Sequence, residues 1–207
     1  MKSTLRWLLL ASFVGACRTF AAPPAESSSP TSKAPAGGWK LPDLAEAMQS
    51  LRGRSYERGK QLFERNHCVD CHPPNDAGKE FGPDLTKLDP RFQPLDILRD
   101  ILEPSRRIAD SRYELWMFET ESGREVSGLI AQETYQTVKI MEQPPAKTPP
   151  LVLKRAEIVR RQMSLMSIMP QRMLDGLTRE EIADLVAYVA ARGDPQASEV
   201  RPLPMSK

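Results

Sequence analysis

The sequence contains the run Cys68-Val-Asp-Cys71-His72, the most specific motif of the chain. The two cysteines are three positions apart, a separation that places side chains on the same face of a helical turn. A C-x-x-C-H run of this kind is the pattern of covalent haem attachment. The two thiols add to the two vinyl groups of the porphyrin, and the histidine ligates the iron. The pattern therefore predicts one haem c, held by Cys68 and Cys71 and ligated by His72.

Two other kinds of site share the C-x-x-C spacing. A thioredoxin-like redox site normally occurs in a βαβ setting, whereas here a helix is predicted before the cysteines and prolines follow them. A structural zinc site needs four ligands, usually cysteine or histidine. The chain has three cysteines and two histidines, and Cys17 lies near the N-terminus, so a zinc site would need carboxylates. His67 precedes the motif directly and is expected to be a surface histidine. Haem attachment is the better interpretation.

The N-terminal segment is typical of an exported protein. Lys2 and Arg6 are followed by a short apolar run over residues 7–16 and then by small residues, which is the pattern of a signal peptide. The run is shorter than the roughly 20 residues that span a bilayer. We expect a signal peptide over residues 1–21, or a lipoprotein signal that ends before Cys17. The protein is therefore predicted to be periplasmic or otherwise exported, in the second case with a lipid tether through Cys17 to a bacterial membrane.

The composition indicates one folded domain of modest size. Hydrophobic residues make up 40% of the chain and aromatic residues 6%, so a bound cofactor would add apolar surface to a small core. The net charge is only +2, and no basic stripe is present, which argues against nucleic-acid binding. Residues 22–52, rich in alanine, proline and serine, are predicted to be a linker. Residues 53–194 are predicted to be the domain and residues 195–207 a tail.

Hydrophobic spacing predicts three helices in the domain. The first covers about residues 55–66 and leads into the cysteines, and the second covers about residues 94–102. The last begins at a capping box formed by Thr178 and Glu181. Gly59 lies inside the first helix, where glycine costs about 1 kcal/mol relative to alanine. We therefore expect another helix to cross closely at Gly59.

A sixth ligand for the iron would have to be methionine, lysine, water or nothing, because no further histidine is present. A methionine thioether opposite a histidine is the ligand pair of cytochromes c and raises the reduction potential. Met169 is followed by Pro170, which disfavours helix at Met169 and stiffens the loop that carries it. Met169 is therefore the predicted sixth ligand, with Met166 and Met173 as alternatives.

Six short motifs between about residues 53 and 192 occur in a characteristic order. They are Gly59-Lys-Gln-Leu-Phe63, Cys68-Val-Asp-Cys71-His72, Gly82-Pro83-Asp84-Leu85-Thr86, Glu103-Pro104-Ser105, Ser167-Ile-Met169-Pro170 and Asp184-Leu-Val-Ala-Tyr188. This set resembles class I cytochrome c domains and, more closely, the haem-binding domain found in planctomycetes and verrucomicrobia.

Residues 113–160 contain β-branched and aromatic runs separated by turns, the pattern of a small antiparallel sheet. The resemblance includes a β-rich insert at this point. The expected fold is thus mainly α, a cytochrome c-like helical fold around one haem with a small antiparallel β insert at about residues 113–160.

The resemblance also implies details of the site. The helix that bears Gly59 would cross the last helix near Tyr188, and the carbonyl oxygen of Pro83 would accept a hydrogen bond from the His72 ring. In that family the haem domain often follows a large dehydrogenase-like or propeller region. No such region precedes it in this sequence, so we expect a separate redox partner protein, either donor or acceptor.

The first functional hypothesis is an exported mono-haem cytochrome that transfers single electrons and is not an enzyme. The alternative is a haem-based sensor or small-gas-binding module, in which the Met169 ligand is weak or absent. The β insert motivates this alternative, since an insert of that size could rebuild one side of the haem pocket. Peroxidase activity would usually need a distal acid–base residue. No spare histidine is present to serve as one.

Overall fold

The computed structural model describes residues 34–49, 51–74, 81–108, 110–142 and 149–197. The predicted signal segment, Cys17 and most of the predicted tail lie outside these residues. The α-helices are α1 (Leu41–Leu44), α2 (Tyr56–Arg65), α3 (Cys68–Cys71), α4 (Pro94–Leu102) and α5 (Arg179–Ala190). The strands are β1 (Trp116–Thr120), β2 (Glu125–Glu133), β3 (Thr137–Glu142), β4 (Leu151–Lys154) and β5 (Ile158–Met163). Within the described ranges, no helix is both long enough and apolar enough to cross a membrane.

The fold is not mainly α, so that prediction was wrong. The strands form one five-stranded antiparallel sheet in the order β4-β3-β2-β1-β5, which makes the sheet a major layer of the protein. Alternating side chains of the sheet bury a core of their own, separate from the helical core, because large apolar residues recur at every second position. The buried members of this core are Phe118, Val126, Val138, Ile140 and Leu153.

The sheet is bent, and its last strand returns to the first. Register shifts interrupt the pairing between β1 and β5 and between β2 and β3, and such bulges bend a strand. Glu133, at the end of β2, is paired with Arg161 on β5 at 2.7 Å and with Arg155. The Arg161 guanidinium also lies 4.3 Å from the centre of the Trp116 ring. These contacts join β2 to β5 across β1.

The helical layer is centred on the crossing of α2 and α5. Ser55 caps α2 by accepting a hydrogen bond from the Arg58 amide at 3.2 Å. The predicted capping box of α5 is present, with Thr178 and Glu181 each accepting the other's backbone N–H. A Cβ on Gly59 would collide with the backbone carbonyl of Asp184 on α5. The close crossing expected at Gly59 is therefore confirmed.

Part of the predicted linker belongs to the helical core. Trp39, Leu44, Met48 and Leu51 are at most 7% exposed, and the Trp39 indole N–H donates to the Leu177 carbonyl at 3.1 Å. The linker was predicted from the composition of residues 22–52 as a whole, in which the proline- and serine-rich part hides these apolar residues. Large apolar side chains that can pack against α5 are buried despite such neighbours.

Replacing Gly59 with alanine is expected to destabilise the protein by about 1–3 kcal/mol, because the added methyl group overpacks the helix crossing. This loss outweighs the gain in helix propensity, about 1 kcal/mol. Chemical unfolding of the purified protein measures it. Gly176 is the matched control, since no atom lies within 4 Å of a Cβ built there. Gly59→Ala as stable as Gly176→Ala would contradict the close crossing.

Candidate functional site

The connection between α2 and α3 sets the direction of the C-x-x-C-H segment. Asn66 closes α2 by donating from its side chain to the Leu62 carbonyl at 2.7 Å. His67 then adopts a φ of 60°, a left-handed conformation that is uncommon for a residue with a Cβ. This residue turns the chain into α3. The His67 side chain is 80% exposed and contacts Asp70, in agreement with the surface position expected for it.

The two cysteines lie at the two ends of the single turn α3. Both are free and half-buried, and the His72 amide donates to the Cys68 carbonyl at 2.9 Å. Burial raises the pKa of the Cys68 thiol to about 11. It raises the pKa of the Cys71 thiol as well. Redox-active C-x-x-C sites do the opposite and lower the pKa of a cysteine, so this environment argues against a thioredoxin-like reaction.

His72 is held in a defined orientation by the loop that follows it. Its ring Nδ1 lies 2.8 Å from the carbonyl oxygen of Pro83. A carbonyl only accepts, so Nδ1 carries the hydrogen and Nε2 keeps its lone pair for a metal. Desolvation lowers the pKa of the His72 imidazole, which favours the neutral form that a metal needs. The hydrogen bond implied by the family resemblance is therefore present.

Gly82 and Asp84 fix the position of the Pro83 carbonyl. A Cβ on Gly82 would lie 2.6 Å from Cε1 of the His72 ring, too close for any side chain. On the other side, Asp84 accepts hydrogen bonds from the Thr86 amide at 2.9 Å and the Thr86 hydroxyl at 2.7 Å. Residues 82–86 thus form a stiff loop against which the imidazole packs. Such a hydrogen-bonded carbonyl orients a ligating histidine and raises its basicity.

The α2–α5 crossing lies next to His72. A small depression beside the histidine is lined by side chains of α2, α5 and the 82–86 loop. These include Phe63, Tyr188, Val189, Leu85 and Thr86. The Tyr188 ring packs against Phe63, with centroids 5.3 Å apart. The surroundings of His72 are therefore set by the helix crossing as well as by the loop.

These residues fit a covalently bound haem. Two protonated thiols one helical turn apart and a neutral imidazole with a free Nε2 are the donor set that haem c requires. A metal held by protein side chains alone fits poorly. No group of three or more cysteine, histidine or carboxylate side chains that could hold a metal occurs in the described ranges. Cys68, Cys71 and His72 would hold the haem, with Pro83 orienting the histidine.

Met169 belongs to a different part of the fold. It lies in the loop between β5 and α5, and its amide donates to the Ser167 hydroxyl at 3.1 Å. The Ser167 amide in turn donates to the Ser105 hydroxyl at 3.0 Å. The structure thus brings Cys68, Cys71, His72 and Pro83 together, whereas the contacts of Met169 connect it to the turn after α4. Its alternatives differ in exposure, since Met166 is 51% exposed and Met173 is half-buried.

Two features of the site region were not predicted from the sequence. Ser105 and Ser167 occur in the quoted motifs, but no role was assigned to their hydroxyls. Asp184 is completely buried, accepts from the Ser55 amide at 3.2 Å and is paired with Arg58 at 2.5 Å. A carboxylate on the apolar stripe of a helix is the signal that could have revealed this pair, because buried charges are almost always partnered.

Replacing Gly82 with alanine is expected to displace the His72 ring from the Pro83 carbonyl. The weaker imidazole would stabilise ferric iron less and raise the reduction potential by tens of millivolts, since about 59 mV corresponds to a tenfold change for one electron. Redox titration of the haem-loaded protein measures this shift. Gly176→Ala is again the control. A potential that stays at the wild-type value would show that the hydrogen bond does not influence the iron.

Comparison with known proteins agrees with this geometry. A family model described as Cytochrome c matches residues 56–192, which is more than half of the 207 residues and runs from the start of α2 past the end of α5. No curated protein matches the chain. The chain belongs to the cytochrome c family, whose members carry covalently bound haem c and transfer electrons.

Proposed function

We propose that the protein is an exported cytochrome with one haem c, ligated by His72 and Met169, that passes single electrons to or from a separate redox protein. The observation that carries the proposal is the His72 site. Its imidazole is oriented by Pro83 and stands beside two free, half-buried thiols. The sequence contains one C-x-x-C-H motif, which supports a single haem.

The chain's own residues would hold the haem in place and restrict access to it. Each thiol of Cys68 and Cys71 would add across one vinyl group, so that the S–H bond and the vinyl π bond are replaced by a C–S and a C–H bond and nothing leaves. The bound haem supplies the redox chemistry, with iron alternating between ferric and ferrous states. Burial of His72 lowers the pKa of its imidazole, which favours the neutral form that can bind iron.

Met169 is the methionine best suited to the sixth position. It is half-buried, and it lies between Ile168, which is 7% exposed, and Pro170. Met166 is 51% exposed, so its thioether would have to leave solvent to reach an iron atom. A thioether opposite His72 would raise the reduction potential relative to water in that position, as suits an electron carrier.

Export and the closer relationship are part of the proposal. The basic and apolar pattern of residues 1–21 supports a signal peptide, and Cys17 offers a lipid anchor in the lipoprotein alternative. The sheet between α4 and the Met169 loop supports a relationship to the haem-binding domain of planctomycetes and verrucomicrobia. A non-enzymatic role is supported because peroxidase activity would usually need a distal acid–base residue. The chain has two histidines, His67 and His72, and neither is available for that role.

Replacing Met169 with alanine is expected to remove the near-infrared sulfur-to-iron band of the ferric, haem-loaded protein and to lower its reduction potential. The ferrous variant should also bind carbon monoxide readily, because the sixth position is no longer protected by a thioether. Optical spectra and a carbon monoxide titration measure both effects.

Met166→Ala and Met173→Ala are the matched controls and should keep the band. A band that survives in Met169→Ala would assign the ligand to another residue. A wild-type protein that lacks the band and binds carbon monoxide without prior denaturation would contradict His/Met ligation. That result would favour the sensor or gas-binding alternative.

A further inference from the structure

We infer that Ser105 and Ser167 are positioning residues for Met169, linking the turn after α4 to the loop that carries this methionine. The inference rests on the proposed function, since it concerns the residue proposed as sixth ligand. Two consecutive hydrogen bonds carry it. The Ser167 amide donates to the Ser105 hydroxyl at 3.0 Å, and the Met169 amide donates to the Ser167 hydroxyl at 3.1 Å. Ser105 is 62 positions before Ser167 in the chain, so the first bond joins two separate parts of the fold.

The turn that contains Ser105 is itself held by hydrogen bonds and ion pairs, so the Ser105 hydroxyl can position the Met169 loop. It lies in a turn closed by the Arg106 amide, which donates to the Glu103 carbonyl at 2.9 Å. The preceding Pro104 is buried. Arg106 and Arg107 are both paired with Asp100 on α4, at 2.8 and 3.1 Å. The serine hydroxyl therefore belongs to a turn that two ion pairs hold against α4.

The start of the Met169 loop is tied to the sheet. The Ser164 amide donates to the Leu115 carbonyl at 2.8 Å, which extends the pairing of β5 with the chain before β1. The Ser164 hydroxyl accepts from the Met166 amide at 3.0 Å. Ile168, next to Met169, is 7% exposed, whereas Leu165, between Ser164 and Ser167, is 83% exposed. The loop is thus anchored by the sheet at Ser164 and by Ser105 at Ser167, and Met169 lies two residues after the second anchor.

This arrangement has a specific consequence for an external ligand. Exogenous imidazole can bind ferric iron only when the Met169 thioether moves away, so its apparent affinity reports how readily the loop opens. Loss of one hydrogen bond that stabilises the closed loop should favour opening by about fivefold. Loss of a hydrogen bond that only pairs an amide elsewhere in the loop should leave the imidazole affinity close to the wild-type value.

The experiment is an imidazole titration of the ferric, haem-loaded protein, followed through the near-infrared sulfur-to-iron band. The variants are Ser105→Ala, Ser105→Thr, Ser164→Ala and Met169→Ala. Ser105→Ala should lower the apparent dissociation constant of imidazole about fivefold. Ser105→Thr keeps the hydroxyl and should behave like the wild type. Ser164→Ala is the matched control, because it removes the hydroxyl that accepts from the Met166 amide and keeps the backbone bond of Ser164 to the Leu115 carbonyl.

The outcomes separate this inference from the proposed function. If Met169→Ala loses the band but Ser105→Ala titrates like the wild type, Met169 is the ligand and the positioning role is wrong. If the wild type has no band, Met169 ligation is wrong and this inference fails with it.

Hydrogen–deuterium exchange of the wild-type holoprotein gives a second test that needs no variant. Slow exchange of the Ser167 and Met169 amides is expected, and fast exchange at both would overturn the inference.

Discussion

The close approach of α2 and α5 at Gly59 is the contact on which the haem site depends. Because Gly59 has no side chain, the backbone of α2 can lie directly against the Asp184 carbonyl, and Phe63 can reach Tyr188. The buried Asp184 carboxylate strengthens the same junction by binding the Ser55 amide at the start of α2. The position of α2 is thereby fixed, and the left-handed turn at His67 then sets the position of the C-x-x-C-H segment beside the helix crossing.

The two sides of the proposed haem site are built by different parts of the chain. On one side, the helix crossing and the 82–86 loop orient His72 through the Pro83 carbonyl. The sheet and the turn after α4 hold the loop of Met169 at Ser164 and at Ser167, just before the methionine. The sheet therefore contributes to the proposed site. Its last strand leads directly into the loop that would supply the sixth ligand, which gives a physical reason for its place in the sequence.

The features that the sequence predicted are those with a local signal. The spacing of Cys68 and Cys71 and the capping box at Thr178 depend on residues within one helical turn. A glycine inside a helix is itself a local sign of a close crossing, as at Gly59. The sequence underestimated the share of the fold that is sheet. Strand pairing depends on partners far along the chain, and the apolar core of a sheet cannot be predicted from one strand alone. The contacts of Ser105 with Ser167 and of Asp184 with Ser55 were missed for the same reason.

Every proposal for this site requires one haem attached covalently through Cys68 and Cys71. Intact mass spectrometry of the mature protein, after denaturation and removal of free haem, measures this attachment. We expect the mass of the processed chain plus one haem, and a protein without attached haem when both cysteines are replaced by serine. A denatured wild-type protein with the mass of the bare chain would show that no haem is attached.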